Sequence, residues 1–327
     1  MFRCIILGVY FINMDFSITI LGASSALPTA NRFPSAQVVK HNESIFLIDC
    51  GEGTQMQLRR NKISLLKINH IFISHLHGDH YYGIFGLLTS MNLLGRKKEL
   101  HLYAPPELRR ILNYIWKQTG IQLLYEVVFH VHNYSGFNLI ADCKHMQVFS
   151  FPLSHSKQNC GFKFCEKQSV ANIRKDCIER FELGIVDVRR IKAGAGIYLI
   201  DGTYIDNKEL THHAPEPRTY TYCSDTVFVE SLNTVIGNTD LLYHEATFAG
   251  EANDLAIATG HSTSIQAAHV AKQLSAKALI LGHFSTRYTD VGFLQQEAET
   301  IFKPVFLAED NAEFAINRIT RATVQVK

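Results

Sequence analysis

Short apolar runs rich in β-branched and aromatic residues recur along the chain, and Pro, Asn and Gly separate them. Runs of this length, bounded by turn residues, are typical of β-strands. The pattern predicts strands at residues 17–21, 37–40, 45–49, 70–74, 100–103, 127–131, 146–151, 161–165, 220–223, 241–243 and 278–282. Within this series, strand hairpins outnumber helical crossovers.

Two stretches carry the helical period instead. In the first, apolar residues recur at helical spacing from Ile84 to Leu94, and Gly95 stands where a C-terminal cap is expected. The second covers residues 264–275, where Thr263 and Gln266 form a capping-box pattern at its start. The excess of hairpins over crossover helices favours two packed sheets flanked by helices over a purely parallel sheet.

Composition and charge exclude several classes of protein. Of the 327 residues, 46% are hydrophobic and 19% are charged, which excludes a disordered chain. The net charge of +2 is too small to indicate a polyanionic partner. The apolar run at residues 4–12 is far shorter than the roughly 20 residues of a membrane span, so we expect no membrane association. No signal-peptide cleavage site follows it. We therefore interpret residues 1–14 as a leader from a misassigned start codon and residues 15–327 as one folded domain.

Cysteine usage bears on the compartment. The seven cysteines are scattered, odd in number and without a CxxC pair. Neither a disulfide framework nor a cysteine zinc ribbon is indicated, so a reducing cytoplasm fits best.

One segment, HLHGDH at residues 75–80, carries most of the chemical information. It places His75, His77, Asp79 and His80 in a loop between a predicted strand and a predicted helix, and Gly78 allows the backbone to turn between them. Imidazole nitrogen and carboxylate oxygen are ligands that suit Zn²⁺. The alternative is a chance cluster of histidines on a solvated loop. Metal binding explains the pattern better.

The HxHxDH pattern resembles the signature of the metallo-β-lactamase superfamily, and further blocks narrow the resemblance. In order, these blocks are DCGEGTQ (49–55), PLSH (152–155), YCSDT (222–226), HEATF (244–248), GHST (260–263) and GHFSTRY (282–288). Together they resemble ribonuclease Z, the endonuclease that removes the 3′ trailer from precursor tRNA and leaves a 3′-hydroxyl on the tRNA. The similarity runs from about residue 16 to residue 287. It implies the α/β (α+β) four-layer αββα sandwich of the superfamily.

The resemblance also implies a pair of metal ions, two Zn²⁺ per subunit, with other divalent metals as an alternative. Two metals can share a water molecule and lower its pKa, which provides a hydroxide nucleophile at neutral pH. One metal would be held by the histidines His75, His77 and His155. The other would be held by Asp79, His80 and His283, and Asp225 would bridge the two.

The same resemblance, together with the needs of phosphodiester cleavage, assigns the remaining site residues. Asp79 is the expected general base, His261 the acid for the leaving group, and Glu245 the carboxylate that orients His261. Ser262, beside the start of the second predicted helix, and Arg287 are expected to bind the phosphate.

An insertion at about residues 166–196 lies where this family carries a protruding arm that grips tRNA. Seven basic and four acidic residues lie between Lys167 and Lys192. Composition alone allows either an RNA clamp or a charged solvated face. The resemblance further implies precursor tRNA as the partner and a homodimer as the assembly.

Two rival functions stay open at this point. The first is another hydrolase of the superfamily, acting on a thioester, a lactone, a β-lactam or another phosphodiester. The second is a non-catalytic RNA-binding relative with a degenerate site. The complete set of predicted ligands speaks against the second, and the HEATF and GHST blocks speak against the first.

Overall fold

The computed structural model describes residues 15–212 and 214–327. It divides into two compact units. The first comprises the described residues up to Cys165 together with Arg218–Lys327, and the second is Glu166–Pro217. The predicted leader at residues 1–14 lies outside the described residues.

The first unit contains two mixed β-sheets. The strands of its first sheet are β1 (Phe16–Gly22), β2 (Ala36–His41), β3 (Ser44–Ile48), β4 (Ile68–Phe72), β5 (Leu100–Ala104), β6 (Val127–Val131), β16 (Glu313–Ile316) and β17 (Thr323–Gln325). Their order is β17-β16-β1-β2-β3-β4-β5-β6, antiparallel from β17 to β3 and parallel from β3 to β6.

The strands of the second sheet are β7 (Asn138–Asp142), β8 (Met146–Leu153), β9 (Asn159–Glu166), β12 (Thr219–Cys223), β13 (Leu241–Glu245), β14 (Ala278–Gly282) and β15 (Val305–Leu307). Their order is β15-β14-β13-β12-β9-β8-β7. The strands β12 to β15 are parallel to one another, so their carboxyl ends meet at one edge of the sheet.

Helices of the first unit follow the strands. They are α1 (Thr54–Arg60), α2 (Gly78–Tyr81), α3 (Ile84–Leu93), α4 (Pro106–Thr119), α8 (Leu232–Ile236), α9 (Asn253–Thr259), α10 (Ser264–Gln273) and α11 (Gly292–Glu299). None of the helices in the described part of the chain has the length and apolar composition that crossing a membrane requires.

Side-chain alternation along the strands builds the layers. In β3, Leu47 packs into the cluster that contains the apolar residues of α1, α3 and α4, whereas Phe46 faces the second sheet. The ring centroid of Phe46 lies 5.7 Å from that of Phe164, and the ring centroid of Phe72 lies 5.5 Å from that of Phe162. These aromatic pairs join the two sheets, and helices cover their outer faces.

The second unit is small and has its own core. Its elements are α5 (Lys175–Arg180), α6 (Ile185–Lys192), β10 (Ile197–Tyr198), β11 (Tyr204–Ile205) and α7 (Asn207–Leu210). Cys177, Ile191 and Leu210 are buried together at its centre. This unit covers Glu166–Pro217, and the arm-like insertion expected at about residues 166–196 stays a prediction.

Every predicted strand and both predicted helices are present, and no end shifts by more than two residues. Predicted strand 45–49 stops at Ile48 because Asp49 has a left-handed backbone, with φ of 54°. The described strands that were not predicted are β7, β10, β11, β15, β16 and β17. Of the described helices, only α3 and α10 were predicted. Even α4 was missed, although it carries Pro in its first turn and Gly120, with φ of 68°, caps its end.

Candidate metal centre

The predicted ligands follow four strands that end near one another. His75 comes three residues after β4, and His155 comes two residues after β8. Asp225 and His283 follow the parallel strands β12 and β14 in the same way. Loops at the carboxyl ends of these strands therefore gather side chains from distant parts of the sequence.

Three histidines form one group. The Nδ1 of His77 lies 3.1 Å from the Nε2 of His75 and 3.2 Å from the Nε2 of His155. His75 is completely buried, whereas His77 is partly exposed to solvent. The three nitrogens and an oxygen of Asp225 all lie within 4.8 Å of one another, which is close enough to hold one metal ion.

A second group lies beside the first. The Nε2 of His80 lies 3.3 Å from the Nε2 of His283, which in turn lies 3.3 Å from the Oδ2 of Asp79. His80 and His283 are buried, and His283 has a left-handed backbone with φ of 57°.

Asp225 lies between the two groups. Its Oδ2 is 3.5 Å from His75 Nε2 and 3.8 Å from His155 Nε2. Its Oδ1 is 3.3 Å from His80 Nε2 and 3.2 Å from His283 Nε2. Oδ1 is buried and accepts no hydrogen bond from the described residues. A buried carboxylate oxygen without a donor, facing imidazole nitrogens, fits cations bound on both sides of Asp225.

Hydrogen bonds outside the group set the tautomers of the histidines. The Nδ1 of His80 lies 2.8 Å from Oδ2 of Asp49, and the Nδ1 of His155 lies 2.7 Å from the carbonyl oxygen of Gly260. Since a carboxylate and a carbonyl only accept, each Nδ1 donates its proton, and each Nε2 keeps a free lone pair directed at the centre.

Asp49 also fixes the surroundings of His80. Its carboxylate also accepts from the Ser74 amide at 2.7 Å, the Ser74 hydroxyl at 3.0 Å and the Tyr222 hydroxyl at 2.7 Å. The sequence placed Asp49 in a family block but gave it no role. Its position directly after a buried strand was the available signal.

A second pair lies beside the ligands. The Oε1 of Glu245 accepts from the Nδ1 of His261 at 2.9 Å, and it also accepts from the backbone amides of Thr226 and Ser262 at 3.0 Å each. Burial disfavours the charged form of His261, but the hydrogen bond and the charge of Glu245 outweigh it and raise the pKa of His261 to about 9.

Thr247 connects this pair to the ligands. Its hydroxyl donates to the Oε2 of Glu245 at 2.7 Å and accepts from the Nδ1 of His283 at 3.0 Å. The sequence singled out the block around Thr247 but not this residue.

The start of α10 lies close to His261. Thr263 is its N-cap and accepts from the amide of Gln266, as the capping-box pattern predicted. Ser262 is fully buried, and its hydroxyl donates to the Thr226 carbonyl at 2.6 Å rather than facing the cleft. Arg287 is exposed above the ring of Phe248, with 5.0 Å from its guanidinium carbon to the ring centroid. The structure therefore brings neither Ser262 nor Arg287 to the ligands, and their phosphate contacts stay predictions.

The ligands open onto a cleft of about 540 Å³. Its floor is formed by ligands of both groups, and His261 lines one wall. Leu27 and Tyr82 line it as well, with 62% and 58% of their surface exposed.

Comparison with known proteins identifies the family. The ribonuclease Z of Phocaeicola vulgatus is 42% identical over 304 residues, which are 93% of this chain and 98% of that protein. The chain belongs to the ribonuclease Z family. The family predicted from the sequence is thus confirmed, and with it the class of metal-dependent endoribonucleases.

Solved structures agree with the predicted fold. Human tRNase Z, short form, matches with a TM-score of 0.67 and 28% identity over 92% of this chain and 99% of its own. The metallo-β-lactamase fold protein YhfI of Bacillus subtilis matches with a TM-score of 0.64 and 17% identity over 91% of this chain and 98% of its own. The predicted fold class, two mixed sheets in a metallo-β-lactamase sandwich, is confirmed.

A family model described as anti-Pycsar protein Apyc1 matches residues 16–171. This segment includes the HLHGDH loop and His155, but it ends before Asp225, His261 and His283. The ribonuclease Z relatives span the whole centre, so they decide the family.

Proposed function

We propose that this member of the ribonuclease Z family cleaves precursor tRNA on its 3′ side, removing the trailer and leaving a 3′-hydroxyl on the tRNA. The pairing of His261 with Glu245 directly beside the two ligand groups carries the proposal. A leaving 3′ oxygen needs a proton, and this pair provides one next to the position where a phosphate would meet the metal site.

Two Zn²⁺ ions fit the donor set. His75, His77 and His155 would hold one ion, the second ligand group would hold the other, and Asp225 would give one oxygen to each. When bound, the ions supply positive charge beside the scissile phosphate and lower the pKa of water.

Asp79 and His261 would transfer the protons of the reaction. Burial alone would raise the pKa of Asp79, but His80 and His283 hold it well below its usual range, so Asp79 remains an ionised acceptor for a proton of the attacking water. His261, with Nδ1 fixed on Glu245, gives its Nε2 proton to the 3′ oxygen as the phosphorus–oxygen bond breaks. The phosphate stays on the trailer.

The assembly and location follow from the family resemblance. We include a homodimer, a cytoplasmic location and a tRNA-gripping role for the second unit in the proposal. Among the described cysteines, Cys50, Cys160, Cys165, Cys177 and Cys223 are free thiols, which suits a reducing compartment. Analytical ultracentrifugation tests the dimer.

A precursor tRNA with a 3′ trailer, incubated with the purified chain with and without chelator, tests the proposed activity. We expect cleavage after the discriminator base, its loss with chelator, and its loss in Asp79→Ala. Elemental analysis should give two zinc ions per chain. Exclusive turnover of a thioester would contradict the proposal. Binding of precursor tRNA without cleavage, equal in wild type and Asp79→Ala, would indicate the non-catalytic alternative.

A further inference from the structure

Tyr82 exposes an aromatic ring inside the cleft. The residue lines the same cleft as His77 and Asp79, and 58% of its surface is accessible. Single exposed aromatic residues are common on protein surfaces, so exposure alone shows nothing. The position of this ring, in the same cleft as two metal-ligand candidates, is what requires an explanation.

The metal-ligand loop fixes the ring in place. Tyr82 lies one helical turn after Gly78, and its amide donates to the Gly78 carbonyl at 3.0 Å. A Cβ atom at Gly78 would overlap the Tyr82 ring, so the ring lies directly against the backbone of the loop. Glycine at this position thus allows an aromatic face to lie against the backbone between His77 and Asp79.

The backbone on both sides of Tyr82 is also tied down. The amide of Cys50 donates to the carbonyl of His80 at 2.8 Å, and the amide of Gly83 donates to the carbonyl of Cys50 at 2.8 Å. A Cβ at Gly83 would overlap the carbonyl oxygen of Gly51, so these two segments are in close contact. An exposed ring on such a fixed backbone loses little entropy when a ligand covers it.

We propose that Tyr82 is a stacking platform for a nucleobase of the nucleotide next to the scissile phosphate. The inference rests on the proposed function, because a single-stranded RNA end is what brings bases to this cleft. Bases at unpaired ends stack on aromatic side chains, and stacking tolerates any base because each has a π face. The platform would hold the strand in register over the metal centre without reading its sequence.

Steady-state kinetics on a precursor tRNA provide the first test. Tyr82→Ala should raise KM about tenfold with kcat nearly unchanged, because the lost stacking is present in both bound substrate and transition state. Tyr82→Phe should behave as wild type. Tyr114→Ala is the matched control, since Tyr114 is 65% exposed on α4 and does not line the cleft.

Abasic substrates provide the sharper test. One precursor lacks the base of the last tRNA nucleotide, and the other lacks the base of the first trailer nucleotide. On one of these two abasic substrates, the wild-type chain should show the raised KM that Tyr82→Ala shows on the intact precursor. On that substrate Tyr82→Ala should raise KM no further, which identifies the stacked nucleotide. An equal penalty for Tyr82→Ala on all substrates would overturn the proposal, and so would a Tyr82→Phe variant as impaired as Tyr82→Ala.

Two further measurements separate the possible failures. If elemental analysis shows that Tyr82→Ala loses zinc, Tyr82→Leu and Tyr82→Phe replace it in the kinetic test, because both side chains still cover Gly78. Of these two variants, only Tyr82→Leu should show the raised KM. Equal kinetics of these two variants would overturn the platform. Wild-type chain that leaves precursor tRNA intact would overturn the proposed function and the platform together, whereas cleavage that is indifferent to Tyr82 would overturn the platform alone.

Discussion

Asp49 places its Oδ2 2.8 Å from the Nδ1 of His80, so a carboxylate outside the ligand set fixes the ring that faces both Asp79 and Asp225. Carboxylate–histidine contacts of this kind orient metal ligands and raise their basicity.

Replacing Asp49 should therefore weaken metal binding without removing a ligand. We expect Asp49→Asn to lower the affinity for Zn²⁺ by about 10- to 100-fold, because the amide no longer favours the proton on His80 Nδ1. Competition with a chromogenic chelator measures it. Asp254→Asn, at a carboxylate on α9 away from the ligands, is the control, and equal affinities for the two variants would contradict the role of Asp49.

Gly260 presents its carbonyl to His155 from a backbone with φ of 78°. A Cβ there would lie 2.9 Å from His155 Nδ1, so Gly260→Ala should displace the ring and weaken metal binding in the first group. Gly95 has nearly the same φ, 79°, and a Cβ there would meet nothing within 4 Å, so Gly95→Ala carries the backbone strain alone. Zinc retention after dialysis should fall in the first variant and not in the second.

Glu245→Gln should slow cleavage rather than weaken metal binding. The amide would no longer stabilise the charged His261, and we expect kcat to fall by about 100-fold or more. Single-turnover cleavage of precursor tRNA measures it, with zinc content as the check on the site. Because the two residues act as a unit, adding Glu245→Gln to His261→Ala should cost little more than His261→Ala alone. Additive losses would show that they act separately.

Metal removal should lower thermal stability. Metal ions that bind only the folded chain stabilise it by about 2.7 kcal/mol when their concentration is 100 times Kd. Without them, the carboxylates of Asp79 and Asp225, both largely shielded from solvent, repel each other. We expect chelator to lower Tm and added zinc to restore it. A Tm that ignores chelator would argue against a metal site.

The free energy of unfolding should also fall as the pH is lowered, because of His132, which is distant in sequence from His261 and Glu245. Its Nε2 donates to the Ile73 carbonyl at 2.7 Å, and burial lowers its pKa to about 4. The unfolded chain takes up this proton near pH 6.5, whereas the folded chain resists it to about pH 4. The stabilisation is therefore complete above about pH 6.5 and is lost between about pH 6.5 and about pH 4.

Urea unfolding across this pH range measures the slope. His132→Gln keeps a donor toward Ile73 but does not titrate, so its free energy of unfolding should fall less steeply in acid than that of wild type. Identical slopes would exclude His132 as a contributor.

Local patterns in the sequence identified much of the centre. The four candidate ligands of the HLHGDH loop lie within six residues of one strand-to-helix connection, so a short segment is enough to recognise them. The capping box at Thr263 is likewise local. The structure places these features where they were expected because short-range geometry determines them.

Other features depended on contacts between distant segments. The strand β16 pairs with β1, and Ser17 lies opposite Ala315 across almost the whole sequence. The burial of Ser262 against the Thr226 carbonyl and the contact of Asp49 with His80 are equally remote from any local pattern.

The sequence by itself determined the strand-rich layers, the candidate ligands and the family, because hydrophobic period, turn residues and motif spacing are local features of the chain. Only the tertiary structure decided that Asp225 gives one oxygen to each ligand group, that Asp49 and Thr247 fix the histidines, and that Tyr82 faces the cleft. Such relationships join side chains from separate strands, and their distances follow from sheet packing rather than from position along the chain.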